Sequence, residues 1–273
     1  MGMPETGFTI RDCVNLLGVE RMVSVIDVYK QQSYQMSLGK FFEKMTAHVR
    51  PRLYNILSLE FSKTKIDGIV SPPSVVSQLS WVERYWGREG FSEKTNTPLS
   101  MEEHILAKPE VSRYCLIGMG GSYTDFHVDF GGSSVWYHVF DGQKIFYVIP
   151  PSSTNLKLYA SYHQEKNRSE YFFGDKVDKD SLFRVVLKSG ETLLLPSGWI
   201  HAVYTPVDTL VFGGNFLHSL SIPMQLRIYE IELALATPYR FTFPGFELIN
   251  WYVASEMVEQ LKEINEDINL NFQ

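Results

Sequence analysis

Between Tyr114 and Asn215 the sequence consists mainly of short apolar segments separated by turn-forming residues. Many short strands joined in this way predict a jelly roll, a cupin-like barrel in which two antiparallel sheets form a double-stranded β-helix. Within it, Asp141-Gly142 predicts a two-residue hairpin turn. The predicted strands are Tyr114–Gly118, Thr124–Phe130, Val135–Phe140, Lys144–Ile149, Phe183–Leu187, Thr192–Leu195, Ile200–Tyr204 and Thr209–Gly213.

The sequence before this strand-rich stretch predicts a mixture of helices and strands. Thr9 and Asp12 form a capping pair that opens a short helix, which ends at Gly18. The other predicted elements are strands at Met22–Val28 and Leu53–Leu59, an amphipathic helix at Ser37–His48 with Phe41, Phe42 and Met45 inward, and a polar loop or insertion at Gly87–Pro109.

Helices are predicted after the strand-rich stretch. Ser221-Ile-Pro223 begins one of them, because proline is favoured in the first helical turn. A second spans Phe246–Ile264, where a packing stripe recurs every four residues, at Ile249, Val253, Met257 and Leu261. The prediction is therefore a mostly β fold with flanking N- and C-terminal helices. Three segments are predicted: residues 1–110, with helices and strands that pack on the barrel; residues 111–220, the barrel; and residues 221–273, a C-terminal helical segment.

The composition excludes several classes of protein. With 44% apolar and 14% aromatic residues, the chain is globular and not intrinsically disordered. The formal net charge is −6, whereas a nucleic-acid clamp is usually basic, so direct nucleic-acid binding by this chain is not expected. The only cysteines are Cys13 and Cys115, which excludes a disulfide framework or a cysteine-rich zinc site. No apolar run is long enough to cross a membrane.

His127 and Asp129 stand two residues apart in an otherwise apolar segment, and His201 follows much later in the chain. Side chains at positions i and i+2 of a strand point to the same side, so His127 and Asp129 can share one ion. His201 would then come from another strand of the barrel. Two imidazoles and one carboxylate on one face of an octahedral metal form the ligand set of non-haem Fe(II) oxygenases.

A plain hydrogen bond between His127 and Asp129 is the alternative to a metal site. Their neighbours Phe126, Val128 and Phe130 are apolar, so one face of the strand is expected to be buried. A buried ionisable pair needs a partner, and either a metal or a mutual hydrogen bond meets that need. The histidines that lack a comparable partner in the sequence are His48, His104, His138, His163 and His218.

A ligand face of three residues leaves sites for small molecules such as a 2-oxo acid and dioxygen. The distal carboxylate of such an acid needs a cation, and Lys144 is the candidate because strongly apolar residues follow it. A solvent-exposed lysine is the alternative. Thr124 has the opposite strand parity to His127, although a bend at the strand start could bring it to the pocket. Tyr137 and Asn55, polar residues in apolar runs, can orient a carboxylate or satisfy the core.

Six stretches of the sequence form a set that is highly specific as a whole. They are Tyr54–Ser62, Tyr123–Gly132, Ser134–Val139, Phe173–Val177, Pro196–Asp208 and Phe212–Leu217. Together they resemble the JmjC-domain histone lysine demethylases, nearest to the subgroup whose members carry PHD fingers or CXXC and F-box modules. The resemblance extends over most of the chain and implies that the barrel is a JmjC barrel.

The resemblance also implies roles for individual residues. The matched positions are His127, Asp129 and His201 as ligands of Fe(II), Lys144 and Thr124 at the distal carboxylate of 2-oxoglutarate, and Asn55 and Tyr137 as supporting residues nearby. All of these positions carry the residue type of the family. The resemblance therefore implies an active dioxygenase with Fe(II) as cofactor and with 2-oxoglutarate and dioxygen as co-substrates.

The activity that the resemblance implies is removal of mono- and dimethyl marks from lysines of the histone H3 tail, in the nucleus, with formaldehyde release and effects on chromatin and transcription. Tail positions nine and twenty-seven are favoured over thirty-six because Phe172–Asp178 is similar to the PHD-bearing relatives, whereas Tyr204–Asp208 is similar to the F-box relatives. Reader or targeting domains are not expected within this chain. Stable hydroxylation of a protein side chain and a catalytically silent chromatin-binding module are the alternatives.

Overall fold

The computed structural model describes residues 1–86 and 108–271 of the chain. All eight strands predicted between Tyr114 and Asn215 are present, with ends shifted by a few residues, and three further strands precede them. The strands are β1 Met22–Asp27, β2 Gln32–Ser37, β3 Tyr54–Glu60, β4 Tyr114–Gly118, β5 Ser122–His127, β6 Ser134–Asp141, β7 Gln143–Ile149, β8 Phe183–Lys188, β9 Thr192–Leu195, β10 Ile200–Thr205 and β11 Thr209–Phe216.

The strands of the barrel are divided between two antiparallel sheets. One sheet has seven strands in the order β2-β1-β3-β4-β11-β6-β9, and the other has four in the order β5-β10-β7-β8. Apolar side chains from both sheets, among them Val139, Phe146, Leu187 and Val211, form a buried cluster between them. This division is the jelly-roll arrangement. The predicted mostly β fold with flanking helices is therefore confirmed.

The turn at Asp141-Gly142 is not the hairpin that the sequence predicts. β6 pairs with β9 and β11, whereas β7 pairs with β8 and β10. The turn therefore carries the chain from one sheet to the other. Gly142 has φ +91°, and a Cβ at this position would collide with the carbonyl oxygen of Asp208. The glycine is required by a tight corner between the sheets and not by a hairpin.

The helices flank the two sheets. They are α1 Ile10–Leu17, α2 Leu38–Thr46, α3 Ser74–Leu79, α4 Trp81–Tyr85, α5 Ser153–Gln164, α6 Ile222–Ala234 and α7 Phe246–Asn271. α1 has the predicted capping box of Thr9 and Asp12 and ends at Gly18. α2 buries Phe41 and Met45 as predicted, while Phe42 is half-buried. Among the described helices, none combines the length and the apolar character that a bilayer crossing requires.

The N-terminal strands extend the larger sheet. β1 pairs with both β2 and β3, and β3 pairs with β4 of the barrel. The sequence did not predict β2, because its residues are polar and most of them are exposed. The predicted polar loop at Gly87–Pro109 falls mainly on residues 87–107, which lie outside the described residues.

The C-terminal helices pack against the barrel and against α4. α6 begins at Ile222-Pro223 as predicted, and α7 continues beyond the predicted end at Ile264. Ile249 and Val253 are fully buried in a cluster with residues of α4. Leu261, by contrast, is exposed. The packing stripe of α7 therefore covers only the first half of the helix.

Candidate functional site

His127 and His201 face each other on two neighbouring strands. His127 ends β5, and it lies directly opposite His201 of β10 in the antiparallel ladder, with the two ring centroids 4.1 Å apart. The Nδ1 of His127 is 2.8 Å from the carbonyl oxygen of Asp125, and that of His201 is 3.1 Å from the carbonyl oxygen of Trp199. Because a carbonyl only accepts, each Nδ1 carries the proton and each Nε2 keeps its lone pair for a metal.

Asp129 completes a cluster of three potential ligands. It lies two residues beyond the end of β5 in extended backbone, with φ −64° and ψ 142°, so it keeps the strand parity of His127. Its Oδ2 is 3.7 Å from the Nε2 of His201, and one ligand atom from each of the three residues lies within 4.8 Å of the others. His127 bonds to a backbone carbonyl and not to Asp129. Two imidazole nitrogens and one carboxylate oxygen so placed fit a single divalent metal ion.

The surroundings of His201 keep its imidazole in the form that binds metal. Burial, together with the neighbouring His127 ring, lowers the pKa of His201 to about 4, and the opposing effect of Asp129 is smaller. The imidazole is therefore neutral at neutral pH, as a metal ligand must be. The ring of Phe146 stacks on that of His201, with centroids 6.0 Å apart and an angle of 24° between the planes. Phe146 thereby restrains the orientation of the His201 ring.

These three residues line a cavity of about 180 Å³ between the two sheets, which we call the barrel cavity. Lys144, Thr124 and Tyr137 also line it. Six of the seven site positions predicted from the sequence, the three potential ligands and these three neighbours, therefore share one cavity. Asn55 is the one position that does not line it.

A β-bulge in β5 explains how Thr124 reaches the same cavity as His127. Along β10 the pairing advances two residues, from His201 to Val203, whereas along β5 it moves three residues, from His127 back to Thr124. The extra residue reverses the parity of the strand between Thr124 and His127, so both side chains point to one side. A regular strand would have pointed Thr124 away from the cavity.

Lys144, on β7, points into the barrel and not into solvent. Its side chain is almost fully buried, with the residue 3% exposed, and its Nζ donates a hydrogen bond to Oγ1 of Thr205 at 2.7 Å. Burial lowers the pKa of Lys144 to about 7. No ion pair within residues 1–86 and 108–271 includes it. A buried ammonium without a counter-ion is costly, so this position favours an anionic ligand.

Gly118, on β4, leaves the space that the Lys144 ammonium occupies. A Cβ at Gly118 would lie 2.8 Å from Nζ of Lys144 and 3.0 Å from Oγ1 of Thr209. The Thr209 hydroxyl is buried and has no hydrogen-bond partner among the described residues. An ammonium and an unsatisfied hydroxyl therefore lie close together beside the barrel cavity.

Tyr137 and Asn55 occupy different positions relative to the cavity. Tyr137, on β6, lines it, and its ring packs edge-on against Phe146 with centroids 5.1 Å apart. Burial raises the pKa of Tyr137, so its hydroxyl stays protonated. The Oδ1 of buried Asn55 accepts a hydrogen bond from Oγ of Ser122 at 2.7 Å, and Asn55 pairs with Gly118 in the ladder. Asn55 thus supports the start of β5 and the wall beside Lys144.

Sequence reasoning missed Asn215, on β11, as a residue of the site. It lines the barrel cavity, and its Nδ2 donates to Oγ of Ser133 at 2.9 Å. The signal was present as an amide in the otherwise apolar run Phe212–Phe216. His138 and His218 lie elsewhere and bond to hydroxyl groups of the protein, as expected of structural histidines.

Family models match two adjacent parts of the chain. A model described as "JmjC domain, hydroxylase" matches residues 114–216, and one described as "Jumonji helical domain" matches residues 220–271. The first match contains all three potential metal ligands. The second begins where the barrel ends and covers α6 and α7.

Curated relatives match almost the whole chain. It is 48% identical over 265 residues to Lysine-specific demethylase 7A of Danio rerio, a match of 97% of this chain and 28% of that protein. It is 46% identical over 267 residues to Histone lysine demethylase PHF8 of Danio rerio, covering 98% and 24% of the two chains. It is 46% identical over 259 residues to Lysine-specific demethylase 2B of Mus musculus, covering 94% and 19%. The chain spans less than a third of the length of these relatives.

Proposed function

The chain belongs to the JmjC family, in its subgroup of histone lysine demethylases, and from that membership we propose that it demethylates lysine side chains of histone H3. The proposed reaction requires Fe(II) and 2-oxoglutarate and removes mono- and dimethyl marks. The names of the relatives describe proteins several times longer than this chain. The proposal for this chain therefore rests on its own residues as well as on those names.

One observation carries the proposal: an unpaired buried lysine and a cluster of metal ligands line the same cavity. A 2-oxo dicarboxylate has one end that can chelate a metal and another end that needs a cation. Lys144 offers the cation, and the cluster of His127, Asp129 and His201 offers the metal site. The favoured ligand is thus a small dicarboxylate and not an uncharged molecule.

Three residues of the site would bind the iron. The Nε2 atoms of His127 and His201 and the carboxylate of Asp129 would hold the Fe(II) ion. With iron bound, 2-oxoglutarate and dioxygen supply the chemistry, in which 2-oxoglutarate is oxidised to succinate and carbon dioxide and an N-methyl group is hydroxylated and lost as formaldehyde. The open side of the ligand cluster would be left to the co-substrates.

The second group of residues would bind and orient the co-substrate. Lys144 and Thr124 would bind the distal carboxylate of 2-oxoglutarate, since both line the barrel cavity. Tyr137, which lines the cavity from the other sheet, would support binding there, and Asn55 would do so by holding the start of β5 through Ser122. Apolar side chains such as Leu195 also line the cavity.

The substrate is proposed to be a methylated tail of histone H3, with positions nine and twenty-seven favoured over thirty-six. The preference comes from Phe172–Asp178, which is similar to the PHD-bearing relatives. The identities to demethylases 7A and 2B are close, at 48% and 46%, and do not separate the two groups. A histone substrate places the proposed activity in the nucleus, in the regulation of chromatin and transcription. The proposed segments remain residues 1–110, 111–220 and 221–273, with the last two close to the matched family models.

The test is mass spectrometry of methylated and unmethylated H3 peptides incubated with the chain, Fe(II), ascorbate and 2-oxoglutarate. We expect stepwise losses of one methyl group from mono- and dimethylated peptides, with formaldehyde and succinate formed in step. Asp129→Ala and His127→Ala variants should form neither product. The matched control is His138→Ala, whose imidazole bonds to Thr192 away from the barrel cavity.

Three results would overturn the proposal. Oxygen retained on an unmethylated peptide would identify a hydroxylase. Peptide binding without any turnover would identify a binding module. Succinate formation that persists in His127→Ala would show that the iron lies elsewhere.

A further inference from the structure

We propose that Glu232, in the helix after the barrel, is a positioning residue that holds the metal ligand Asp129 through the backbone of Gly131. The proposal rests on the proposed function in one respect, namely that Asp129 binds metal. The Oε1 of Glu232 accepts a hydrogen bond from the backbone N–H of Gly131 at 2.8 Å, and this bond is buried. Glu232 therefore holds the backbone two residues beyond a proposed metal ligand.

The turn after Asp129 is tight, so the position of Gly131 is closely coupled to that of Asp129. The N–H of Gly132 donates to the carbonyl oxygen of Asp129 at 3.0 Å, which closes the turn on the ligand residue itself. Gly131 and Gly132 have φ +59° and +60°, in the left-handed region that favours glycine. With the turn closed in this way, the Gly131 N–H points outward, where Glu232 receives it.

The C-terminal segment, residues 221–273, packs closely against this turn. A Cβ at Gly131 would lie 2.9 Å from Cβ of Phe243, and one at Gly132 would lie 3.0 Å from Cβ of Ile228. Ile228 belongs to α6, the helix that carries Glu232. The turn is thus in close contact with α6 and with the segment that precedes α7. Glu232 adds a hydrogen bond between α6 and this turn.

The chemical character of Glu232 also favours a specific role. The residue is 9% exposed, and its second oxygen, Oε2, is buried without a hydrogen-bond partner among the described residues. Burying a carboxylate that has only one hydrogen-bond donor is costly. An apolar residue of similar size would fill the same space at lower cost. What the apolar residue could not do is fix the Gly131 N–H. Residues behind a metal ligand commonly change metal affinity by about 10- to 100-fold when they are removed.

The experiment measures metal affinity directly, without substrate or turnover. Co(II) is titrated into the full chain without 2-oxoglutarate, and binding is followed by its d–d absorption. The variants are Glu232→Leu, which removes the acceptor, and Glu232→Gln, which keeps an acceptor oxygen at the same distance. Glu230→Leu is the matched control, because Glu230 lies on the exposed side of the same helix.

We expect Glu232→Leu to bind Co(II) about 10- to 100-fold more weakly than wild type. Glu232→Gln and Glu230→Leu should stay within about threefold. If Glu232→Leu does not fold, Glu232→Asp replaces it, since the shorter side chain withdraws the oxygen from Gly131 and should weaken binding about tenfold.

Equal affinity of wild type and Glu232→Leu, or an equal loss in Glu232→Gln, would overturn the positioning role while leaving the metal site intact. Absence of Co(II) binding by the wild-type chain would instead overturn the metal site on which the proposed function depends.

Discussion

The Nζ of Lys144 and the hydroxyl of Thr205 are 2.7 Å apart, and this is the only hydrogen bond of the ammonium to the described residues. A hydroxyl satisfies one of the three N–H donors of a lysine and neutralises none of its charge. The ammonium therefore lies in the barrel with most of its desolvation uncompensated.

Replacing Lys144 by methionine should weaken the binding of 2-oxoglutarate and at the same time stabilise the ligand-free protein. Lys144→Met replaces a buried cation with an apolar side chain of similar length. We therefore expect the ligand-free protein to be more stable, by roughly 1–4 kcal/mol. The same variant should lose at least 100-fold in affinity for 2-oxoglutarate, measured by calorimetry on the Mn(II)-loaded protein. Urea unfolding gives the stability. Lys157→Met, at an exposed position of α5, is the control; a Lys144→Met protein that is less stable than wild type would contradict the argument.

The affinity for 2-oxoglutarate should fall as the pH rises above about 7, the pKa of Lys144 in the folded protein. The dianion binds the charged ammonium, so binding above this pH must take up a proton. Calorimetry in two buffers of different ionisation enthalpy measures that uptake. Binding that is independent of pH across this range in the wild type would show that Lys144 is charged throughout.

The stability of the ligand-free protein should change in the opposite sense. The pKa of Lys144 falls from 10.5 to about 7 on folding, so the unfolded chain binds more protons between these values. The contribution of Lys144 to the free energy of unfolding therefore rises with pH across this window. The difference between wild type and Lys144→Met in urea unfolding should shrink from pH 7 towards pH 10.

Gly118→Ala should weaken the binding of 2-oxoglutarate without altering the proposed metal ligands. The added Cβ would lie 2.8 Å from Nζ of Lys144, so the ammonium must shift. We expect about a tenfold loss of affinity, with Co(II) binding unchanged. In the control Gly68→Ala nothing lies within 4 Å of the new Cβ. An equal effect of both substitutions would point to general destabilisation.

Thr124→Val tests whether the bulge in β5 has a functional consequence. The substitution keeps the shape of the side chain and removes the hydroxyl that the bulge turns into the barrel cavity. Loss of one hydrogen bond to a carboxylate should raise the dissociation constant of 2-oxoglutarate by about tenfold or more. The exposed Thr154→Val on α5 is the control. Unchanged affinity would mean that Thr124 faces the cavity without contacting the co-substrate.

Much of the barrel follows from local patterns in the sequence. Alternating apolar residues and turn signals are properties of neighbouring residues, and they placed all eight barrel strands within a few residues of their observed ends. The spacing of His127 and Asp129 likewise holds in the structure, because extended backbone continues from β5 to Asp129. β2 escaped prediction because its side chains are largely exposed, so burial leaves no trace in its sequence.

The misassigned turn shows where local patterns stop. Asp141-Gly142 has the composition of a hairpin, yet β6 and β7 on its two sides join different sheets. A dipeptide encodes a change of direction. It does not encode which distant strands the flanking segments pair with.

The eight barrel strands, the potential ligand types and the family can all be recognised in the sequence, because each is encoded in short stretches of residues. Three features are visible only in the folded chain: Thr124 turns inward, Lys144 is buried without a counter-ion among the described residues, and Glu232 reaches the backbone beside Asp129. All three have one cause. A bulge, a desolvated charge and a contact between distant segments arise when strands and helices pack, and no neighbouring residue in the chain records them.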